Sequence, residues 1–163
     1  MRDPAAVEAY LHKHIPISGA MGFRVLGASP DEVVLEAPLE PNINHRATAF
    51  GGSISALAIL AGWAMVHFRL RDEGLEVRTV IRDGGVRYDE PVRGAFQARC
   101  PAPPADAWER LVQTLRRRGK GRIRLRVELS EGDLSVGSYT GTYVALERST
   151  ADADGAGSNP PPK

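Results

Sequence analysis

The feature that most constrains the fold is a polar loop that leads through a Gly-Gly pair into a long, uncharged apolar segment. The loop is residues 44–50, the pair is Gly51 and Gly52, and the apolar segment covers residues 54–66. An apolar run of this length is typical of a helix that is buried on all sides. The first N–H groups of such a helix, and the positive end of its dipole, lie in apolar surroundings. The stretch therefore predicts a site that stabilises a developing negative charge.

The order of residues in this stretch is similar to a known motif. Asn44, a small residue at Ala47 and then Phe50-Gly51-Gly52 resemble the Asn-x-x-Gly-x-x-His-Gly-Gly signature of hotdog-fold acyl thioesterases. The stretch is closer still to the Asn-His-x-x-Thr-x-Phe-Gly-Gly-Ser pattern of a thioesterase-like family. That family is typified by the C-terminal domain of the bacterial protein YiiD.

The likeness to this family continues beyond the loop and covers about residues 7–146. It includes Gly62-Trp63 and the pattern Arg87-Tyr88-x-x-Pro91-Val92. The resemblance implies an α+β hotdog fold, in which a curled antiparallel sheet wraps around a long central helix. It also implies an enzyme that acts on acyl thioesters. A subgroup of the family is known as malonyl-acyl-carrier-protein decarboxylases.

Length and composition predict one domain. The chain has 163 residues, of which 42% are hydrophobic, and this is enough for a single core. We expect the hotdog domain at residues 1–148 and a disordered tail at 149–163, where no apolar side chain is larger than alanine or proline. A single cysteine, the lack of a secretory apolar region in the first ten residues, and an apolar run shorter than the roughly 20 residues of a membrane span predict a cytoplasmic protein.

The order of predicted elements fits the hotdog plan. Pro4 begins a first helix after Asp3, and strands follow at 23–28 and 32–37. The central helix runs from about 51 to 70. Four strands of an antiparallel meander are then predicted at 77–88, 92–100, 121–129 and 134–146. Between the second and third of these, a capping box of Asp106 and Glu109 predicts a helix that ends at Gly119 and buries Trp108, Leu111, Val112 and Leu115.

Positive charge is concentrated in one short segment. Residues 116–126 contain seven Arg or Lys and no acid, so the rest of the chain is net acidic. Alternation with Ile123, Leu125 and Val127 predicts a strand with one buried and one basic face. The basic side chains are either a solvated sheet face or an anchor, through Arg117 and Arg118, for the phosphates of coenzyme A or an acidic acyl carrier protein. Without interleaved aromatic residues, the segment does not favour nucleic acid.

The signature supplies the candidate catalytic residues. Asn44 would orient the substrate and donate a hydrogen bond to the oxyanion, and the Gly52 N–H would be the second donor. His45 is the only histidine inside the signature. The candidate substrate-binding residues are Thr48, which shapes the loop, and Phe50, Gly51, Ser53, Arg87 and Tyr88.

Other kinds of chemistry have weaker support in the sequence. Ser53 lies just outside a Gly-x-Ser-x-Gly elbow, so we expect it to satisfy free N–H groups of the helix and not to act as a nucleophile. The four histidines lack the spacing of metal ligands. We therefore predict neither a metal nor a cofactor.

A missing carboxylate separates two mechanisms. In many hotdog thioesterases of this type, a carboxylate stands on the central helix nine residues after the histidine of His-Gly-Gly. Here the histidine position is Phe50 and the carboxylate position is Ile59, and residues 51–70 contain no Asp or Glu. Hydrolysis would have to take a base from elsewhere, such as His45 or a neighbouring subunit's Asp83. Decarboxylation of a malonyl thioester needs mainly oxyanion donors and an oriented carboxylate.

The leading prediction is thus decarboxylation of malonyl-acyl carrier protein to the acetyl form. The alternatives are a thioesterase that hydrolyses acyl-coenzyme A or acyl-carrier-protein substrates, and a binding module for acyl thioesters without catalysis. The resemblance implies a homodimer or a dimer of dimers, with the active site between subunits.

Overall fold

The computed structural model describes residues 2–148. Its helices are α1 (Pro4–His14), α2 (Ile17–Met21), α3 (Gly51–Asp72) and α4 (Ala105–Arg118). Its strands are β1 (Arg24–Ala28), β2 (Glu32–Ala37), β3 (Val77–Tyr88), β4 (Phe96–Pro101), β5 (Lys120–Glu131) and β6 (Leu134–Glu147). The predicted tail at 149–163 lies outside the described residues and stays a prediction.

The strands form one antiparallel six-stranded sheet that curls around α3, as the hotdog plan predicts. The strand order is β1-β2-β4-β5-β6-β3. The predicted four-strand meander is therefore wrong in one respect, because β3 does not pair with β4. It lies at the edge of the sheet beside β6, from the Val77–Glu147 pair to the Tyr88–Gly137 pair. Hydrophobic alternation specifies which face of a strand is buried, and it leaves the choice of neighbour open.

Helix α3 is the centre of the core. Tyr143 on β6 donates a hydrogen bond to the Ile59 carbonyl at 2.9 Å, and a Cβ at Gly62 would lie 2.3 Å from the Tyr143 hydroxyl oxygen. Gly62 thus allows the sheet to approach the helix. The prediction of a membrane-incompatible length concerned only the apolar run 54–66, whereas the whole helix has 22 residues and is long and apolar enough to cross a membrane. Of its most apolar 18-residue stretch, 67% is buried inside the protein, as is typical of a core helix.

Helix α4 closes one end of the sheet. Its predicted apolar face is confirmed, because Trp108, Leu111, Val112 and Leu115 are all buried, and it ends at Gly119 with a φ of +66°. The predicted capping box is wrong. Pro104 is the N-cap residue and no side chain caps the helix, while Asp106 instead pairs with Arg110 at 2.7 Å. The Asp106 carboxylate is attracted to the guanidinium one turn later, where it forms an i,i+4 ion pair.

Two further boundaries differ from the sequence prediction. The strand expected at 92–100 begins only at Phe96. Val92 is buried, and its carbonyl accepts a hydrogen bond from Ala49 N at 2.8 Å instead of a ladder bond. Val92 therefore supports the signature loop and is not part of the sheet.

The sequence prediction also lacked the short helix α2, whose C-cap residue, Gly22, has a φ of +65°.

Candidate active site

The loop before α3 is organised by the side chain of Asn44. Its Oδ1 accepts hydrogen bonds from Arg46 N at 2.8 Å and Thr48 N at 3.4 Å. Its Nδ2 donates to Thr48 Oγ1 at 2.9 Å and to the Ala49 carbonyl at 3.1 Å. Main-chain N–H groups can only donate, so these partners fix which end of the amide is oxygen. Both amide protons of Asn44 therefore have acceptors inside the loop.

The small residue of the signature has a conformational role. Ala47 has a φ of 58° and is the one non-glycine residue with positive φ among those described. The left-handed region is unfavourable for a residue with a Cβ atom and suits glycine, which the hotdog signature has at this position. The loop turns sharply at Ala47 so that Asn44 N can donate to the Thr48 carbonyl at 2.8 Å.

The first turn of α3 carries hydrogen-bond donors without acceptors. Phe50 is the N-cap residue, and its carbonyl accepts from Ser53 N at 2.9 Å and Ile54 N at 3.1 Å. Within the described part of the chain, neither Phe50 nor Ser53 caps the helix with its side chain, so the expectation that Ser53 satisfies the free N–H groups is wrong. Within residues 2–148, the N–H groups of Gly51 and Gly52 have no acceptor. They are oriented along the positive end of the helix dipole.

Each glycine lies against one aromatic side chain. A Cβ at Gly52 would lie 2.2 Å from the Phe50 ring, and a Cβ at Gly51 would lie 3.3 Å from the Tyr88 hydroxyl oxygen. The Tyr88 hydroxyl donates to the Gly51 carbonyl at 2.8 Å. Phe50 and Tyr88 are nevertheless 57% and 52% exposed. The helix start is therefore bordered by apolar surface and open to a ligand.

Two open grooves flank Tyr88. The first, the 89–92 groove, has a volume of about 330 Å³ and is lined by Ala49, Gly51, Ile54, Tyr88 and residues 89–92. The second, the Tyr139 groove, also has a volume of about 330 Å³, and its lining includes Ser55, Ile59, Asp83, Val86, Tyr88 and Tyr139. Tyr88 is common to both, so the two grooves meet beside the first turn of α3.

Tyr139 was missed by the sequence prediction. It is 1% exposed, and among the described residues the polar neighbour of its hydroxyl is the Tyr143 hydroxyl. Gly84 and Gly141, which face each other across β3 and β6, make room for it: a Cβ there would lie 2.4 Å and 2.0 Å from its hydroxyl oxygen. Burial raises the pKa of this hydroxyl above its usual value, so it stays protonated. Glycines inside strands are the sequence signal that could have indicated this close approach.

The position of the missing carboxylate faces the Tyr139 groove. Ile59, which occupies it, lines that groove and is partly buried. The first acid on α3 is Asp72, at the other end of the helix, where it pairs with Arg2. Acids do stand elsewhere near the helix start. Asp83 lines the Tyr139 groove, and residues 89 and 90, both acidic, line the 89–92 groove.

Several candidate residues lie away from the grooves. His45 is exposed and lines neither groove. Arg87 is exposed and pairs with Asp89 at 3.0 Å. Arg117 and Arg118 lie in the last turn of α4, where Arg118 lines a separate groove on β5 and β6. Within residues 2–148, no group of three His, Cys, Asp or Glu side chains could hold a metal ion.

The C-terminal end of α3 is closed by aromatic packing. His67 stacks on Trp63 with ring centroids 4.3 Å apart, and Tyr10 lies on it at 5.5 Å. Neither ring nitrogen of His67 has a partner among the described residues. Burial, and then the charges of Arg71 and Arg2, lower the pKa of His67 to about 4. This histidine is therefore neutral and acts as a packing residue.

The curled sheet around one long helix, with a Gly-Gly pair at the helix start, defines the hotdog class of thioesterase folds. The chain matches the family model described as "Putative thioesterase (yiiD_Cterm)" over residues 4–147. It belongs to that family.

Solved structures agree with this assignment. The protein OLEI01261 of Chlorobaculum tepidum, of unknown function, is 30% identical, with a TM-score of 0.83 over 89% of this chain and 94% of that one. A "putative thioesterase" from Shewanella oneidensis is 28% identical, with a TM-score of 0.75 over 88% of this chain and 96% of that one. PA5026 of Pseudomonas aeruginosa, at 21% identity and a TM-score of 0.74 over 91% and 99% of the two chains, shares the fold.

Proposed function

We propose that this protein binds the carbonyl oxygen of an acyl thioester at the start of α3, and that its reaction is decarboxylation of malonyl-acyl carrier protein to acetyl-acyl carrier protein. The observation that carries the proposal is the pair of N–H groups of Gly51 and Gly52, which have no acceptor among the described residues, with Gly51 lining the 89–92 groove. Donors that are fixed before the substrate arrives stabilise an oxyanion at little reorganisation cost.

The proposed reaction proceeds through an enolate. The bond between the carboxylate carbon and the α-carbon breaks, CO2 leaves, and the electron pair moves into the thioester to form an oxyanion. The N–H groups of Gly51 and Gly52 hold this oxygen. A proton then adds to the α-carbon and gives the acetyl thioester.

Asn44 remains a candidate third donor. Of its two Nδ2 bonds, the one to the Ala49 carbonyl is the longer, at 3.1 Å. Exchange of this bond for one to the substrate would leave the loop held by the other bonds of Asn44. If the exchange does not occur, Asn44 acts as a positioning residue that sets the start of α3. His45 lies in the same loop, and as an exposed side chain it would reach substrate only at an interface between subunits.

Tyr139 is the proposed source of the proton. Its hydroxyl is buried and protonated beside the Tyr143 hydroxyl, and the residue lines the groove that also contains Ile59. In this role it would give its proton to the α-carbon of the enolate and regain one from water. Tyr139→Phe should keep the fold and lower turnover.

The absence of a carboxylate at Ile59 favours decarboxylation over hydrolysis. A carboxylate there would repel the malonyl carboxylate and the enolate, whereas an apolar side chain destabilises the charged carboxylate and favours its loss as CO2. No activated water is needed for this reaction.

Hydrolysis is the second candidate, and one observation favours it. Glu90 lines the 89–92 groove next to Gly51 and forms no ion pair among the described residues, so it could act as a base toward water. Asp83 in the Tyr139 groove is the other candidate base. In this reaction the same N–H groups would hold the tetrahedral oxyanion.

We further propose a homodimer, or a dimer of two such dimers, as the active form. Strand β3 is an edge of the sheet and is 12 residues long. Val80 and Ile81 on it are each 39% exposed. A long edge strand with exposed apolar residues favours pairing with a second copy. Such pairing would cover the Tyr139 groove, which is lined by the same strand.

One experiment separates the candidate reactions. The protein is incubated with malonyl- and longer acyl-carrier proteins and with the matching coenzyme A thioesters, while CO2, free thiol, free acid and acetyl thioester are followed together. Decarboxylation releases CO2 and acetyl thioester without free thiol. Hydrolysis releases thiol and acid in equal amounts. Tight binding with none of these products would contradict both reactions and leave the binding module.

A further inference from the structure

A basic surface lies on the opposite side of the sheet from α3. Along β5 from Lys120 to Arg126, every second side chain is exposed and positive, while the residues between them are buried, and the next exposed residue, Glu128, is acidic. The neighbouring positions on β6 are uncharged, with Lys120 opposite Leu146, Arg122 opposite Val144, Arg124 opposite Thr142 and Arg126 opposite Thr140. We call the surface formed by Arg82, Arg118, Lys120, Arg122, Arg124 and Arg126 the basic face.

The basic face borders a groove with an apolar floor. The groove has a volume of about 970 Å³, and Val80, Val144 and Leu146 supply apolar surface. Among residues 2–148, no acidic residue lines it. Arg118, Lys120 and Arg122 form no ion pair with any of the residues in the described part of the chain. Their charges are therefore available to a partner.

The spacing of the charges fits an α-helix. Alternate residues of a strand are about 6.7 Å apart, and residues four apart on a helix are about 6 Å apart along its axis. The row on β5 spans about 20 Å, which equals three to four helical turns. Strands β5 and β3 lie on either side of β6, so they are about 10 Å apart, close to the width of one helix. A helix over β6 would reach cations on both sides.

We propose that the basic face is a docking site for an α-helix of the acyl carrier protein, one with acidic side chains on its flanks and apolar side chains facing Val144. The identity of the partner rests on the proposed function. The shape and charge of the site are observed independently of that function. A second copy of this chain is disfavoured because two basic faces would repel each other. Nucleic acid would make no use of the apolar floor, and the nucleotide of coenzyme A would cover only part of the row.

The test compares two variants with the same loss of charge. Arg122→Gln/Arg124→Gln removes two cations of the basic face. Lys13→Gln/Arg24→Gln removes two exposed cations on α1 and β1, outside the basic face. Binding of holo-acyl carrier protein, without an acyl group, is measured by calorimetry at low and at physiological salt. Turnover of a short malonyl thioester without carrier is measured alongside, with the melting temperature of each variant.

We expect the basic-face variant to bind the carrier about tenfold more weakly at low salt, with a smaller difference as salt rises, because screening weakens the wild-type encounter. The control variant should bind like the parent, and both should turn over the short thioester normally. Equal binding by both variants would overturn the docking site, as would duplex DNA binding the face as well as the carrier does. If the wild type binds carrier through this face but no thioester reacts, the docking site stands and the proposed function fails.

Discussion

The two ends of α3 differ in how far they are covered by the rest of the protein. At the N-terminal end, Gly51 and Gly52 have free N–H groups, and Phe50 is 57% exposed. At the C-terminal end, Trp108 on α4 is 4% exposed, donates to Glu73 at 2.5 Å and lies under Arg69 at 4.2 Å. At the first end the unused hydrogen-bonding groups are main-chain donors beside an open groove. At the second end they are buried side-chain nitrogens of His67 and Arg69, which have no partner among the described residues.

Because of this difference, we expect the C-terminal end of α3 to contribute mainly to stability and the N-terminal end mainly to ligand binding. Aromatic packing at the C-terminal end helps to hold the helix in place. The N-terminal end can then keep unsatisfied donors, which would cost stability in a buried place but remain available to a ligand here. Substitutions at the two ends should therefore affect different measurements.

The largest effect on folding is expected at the C-terminal end. Trp108→Ala removes a buried indole and its hydrogen bond, so the free energy of unfolding should fall by about 3–5 kcal/mol. Phe50→Ala, which removes an exposed aromatic side chain at the N-terminal end, is the control and should cost much less. Chemical denaturation measures both. Equal losses would show that the two ends contribute alike to stability.

The largest effect on turnover is expected in the loop before the helix. Asn44→Ala should lower turnover by about 10²-fold to 10³-fold, the usual cost of removing one oxyanion donor. Thr48→Val removes one acceptor of the Asn44 amide and leaves the other bonds. If Asn44 contacts the substrate, Thr48→Val should cost much less than Asn44→Ala. Similar losses would limit Asn44 to positioning the loop, and wild-type turnover in Asn44→Ala would remove it from the site.

Acid should weaken the C-terminal end specifically. The pKa of His67 is about 4 in the folded protein, against 6.5 for an ordinary histidine. Between these two pH values the unfolded chain binds more protons than the folded protein. The contribution of His67 to the free energy of unfolding is therefore fully present above pH 6.5 and is lost as the pH falls toward 4. The loss is on the order of 3 kcal/mol. His67→Phe keeps an aromatic ring without a titrating group, and its unfolding free energy should fall less over this range. Parallel pH profiles would contradict the assignment.

The smallest effect is expected at the strained turn. Ala47→Gly removes the penalty of a left-handed conformation, partly offset by the greater freedom of glycine in the unfolded chain, so it should stabilise the protein by about 0.5–1 kcal/mol. Thermal unfolding measures this change. Loss of stability would mean that the Ala47 side chain makes a contact worth more than the strain.

The contrast between the two ends could be predicted from the sequence only in part. The Gly-Gly pair before an uncharged run correctly predicted a buried helix with free donors at its start. The closed end escaped prediction, because the packing of Tyr10 and Trp63 on His67 joins residues far apart in the chain. Hydrophobic periodicity indicates which face of a single helix or strand is buried, and it does not indicate which distant residues that face contacts.

The groove residues were missed for a related reason. Tyr139 follows the ordinary alternation of β6, and only the pairing of β6 with β3 brings Gly84 and Gly141 to its hydroxyl. The predicted meander placed β3 beside β4, so this contact could not be inferred. Asn44, by contrast, was identified from local spacing, and its partners at Arg46, Thr48 and Ala49 are all within five residues of it.

The central claim is that the N–H groups of Gly51 and Gly52 bind the thioester oxyanion. Nuclear magnetic resonance tests it directly, through titration of the ¹⁵N-labelled protein with a nitronate analogue of the malonyl thioester enolate, which carries negative charge on oxygen and does not react. We predict that the amide proton signals of Gly51 and Gly52 move downfield more than any others, and that those of His67 and Phe68 stay in place. Saturable binding of the analogue that leaves the Gly51 and Gly52 amide signals unmoved would contradict the claim.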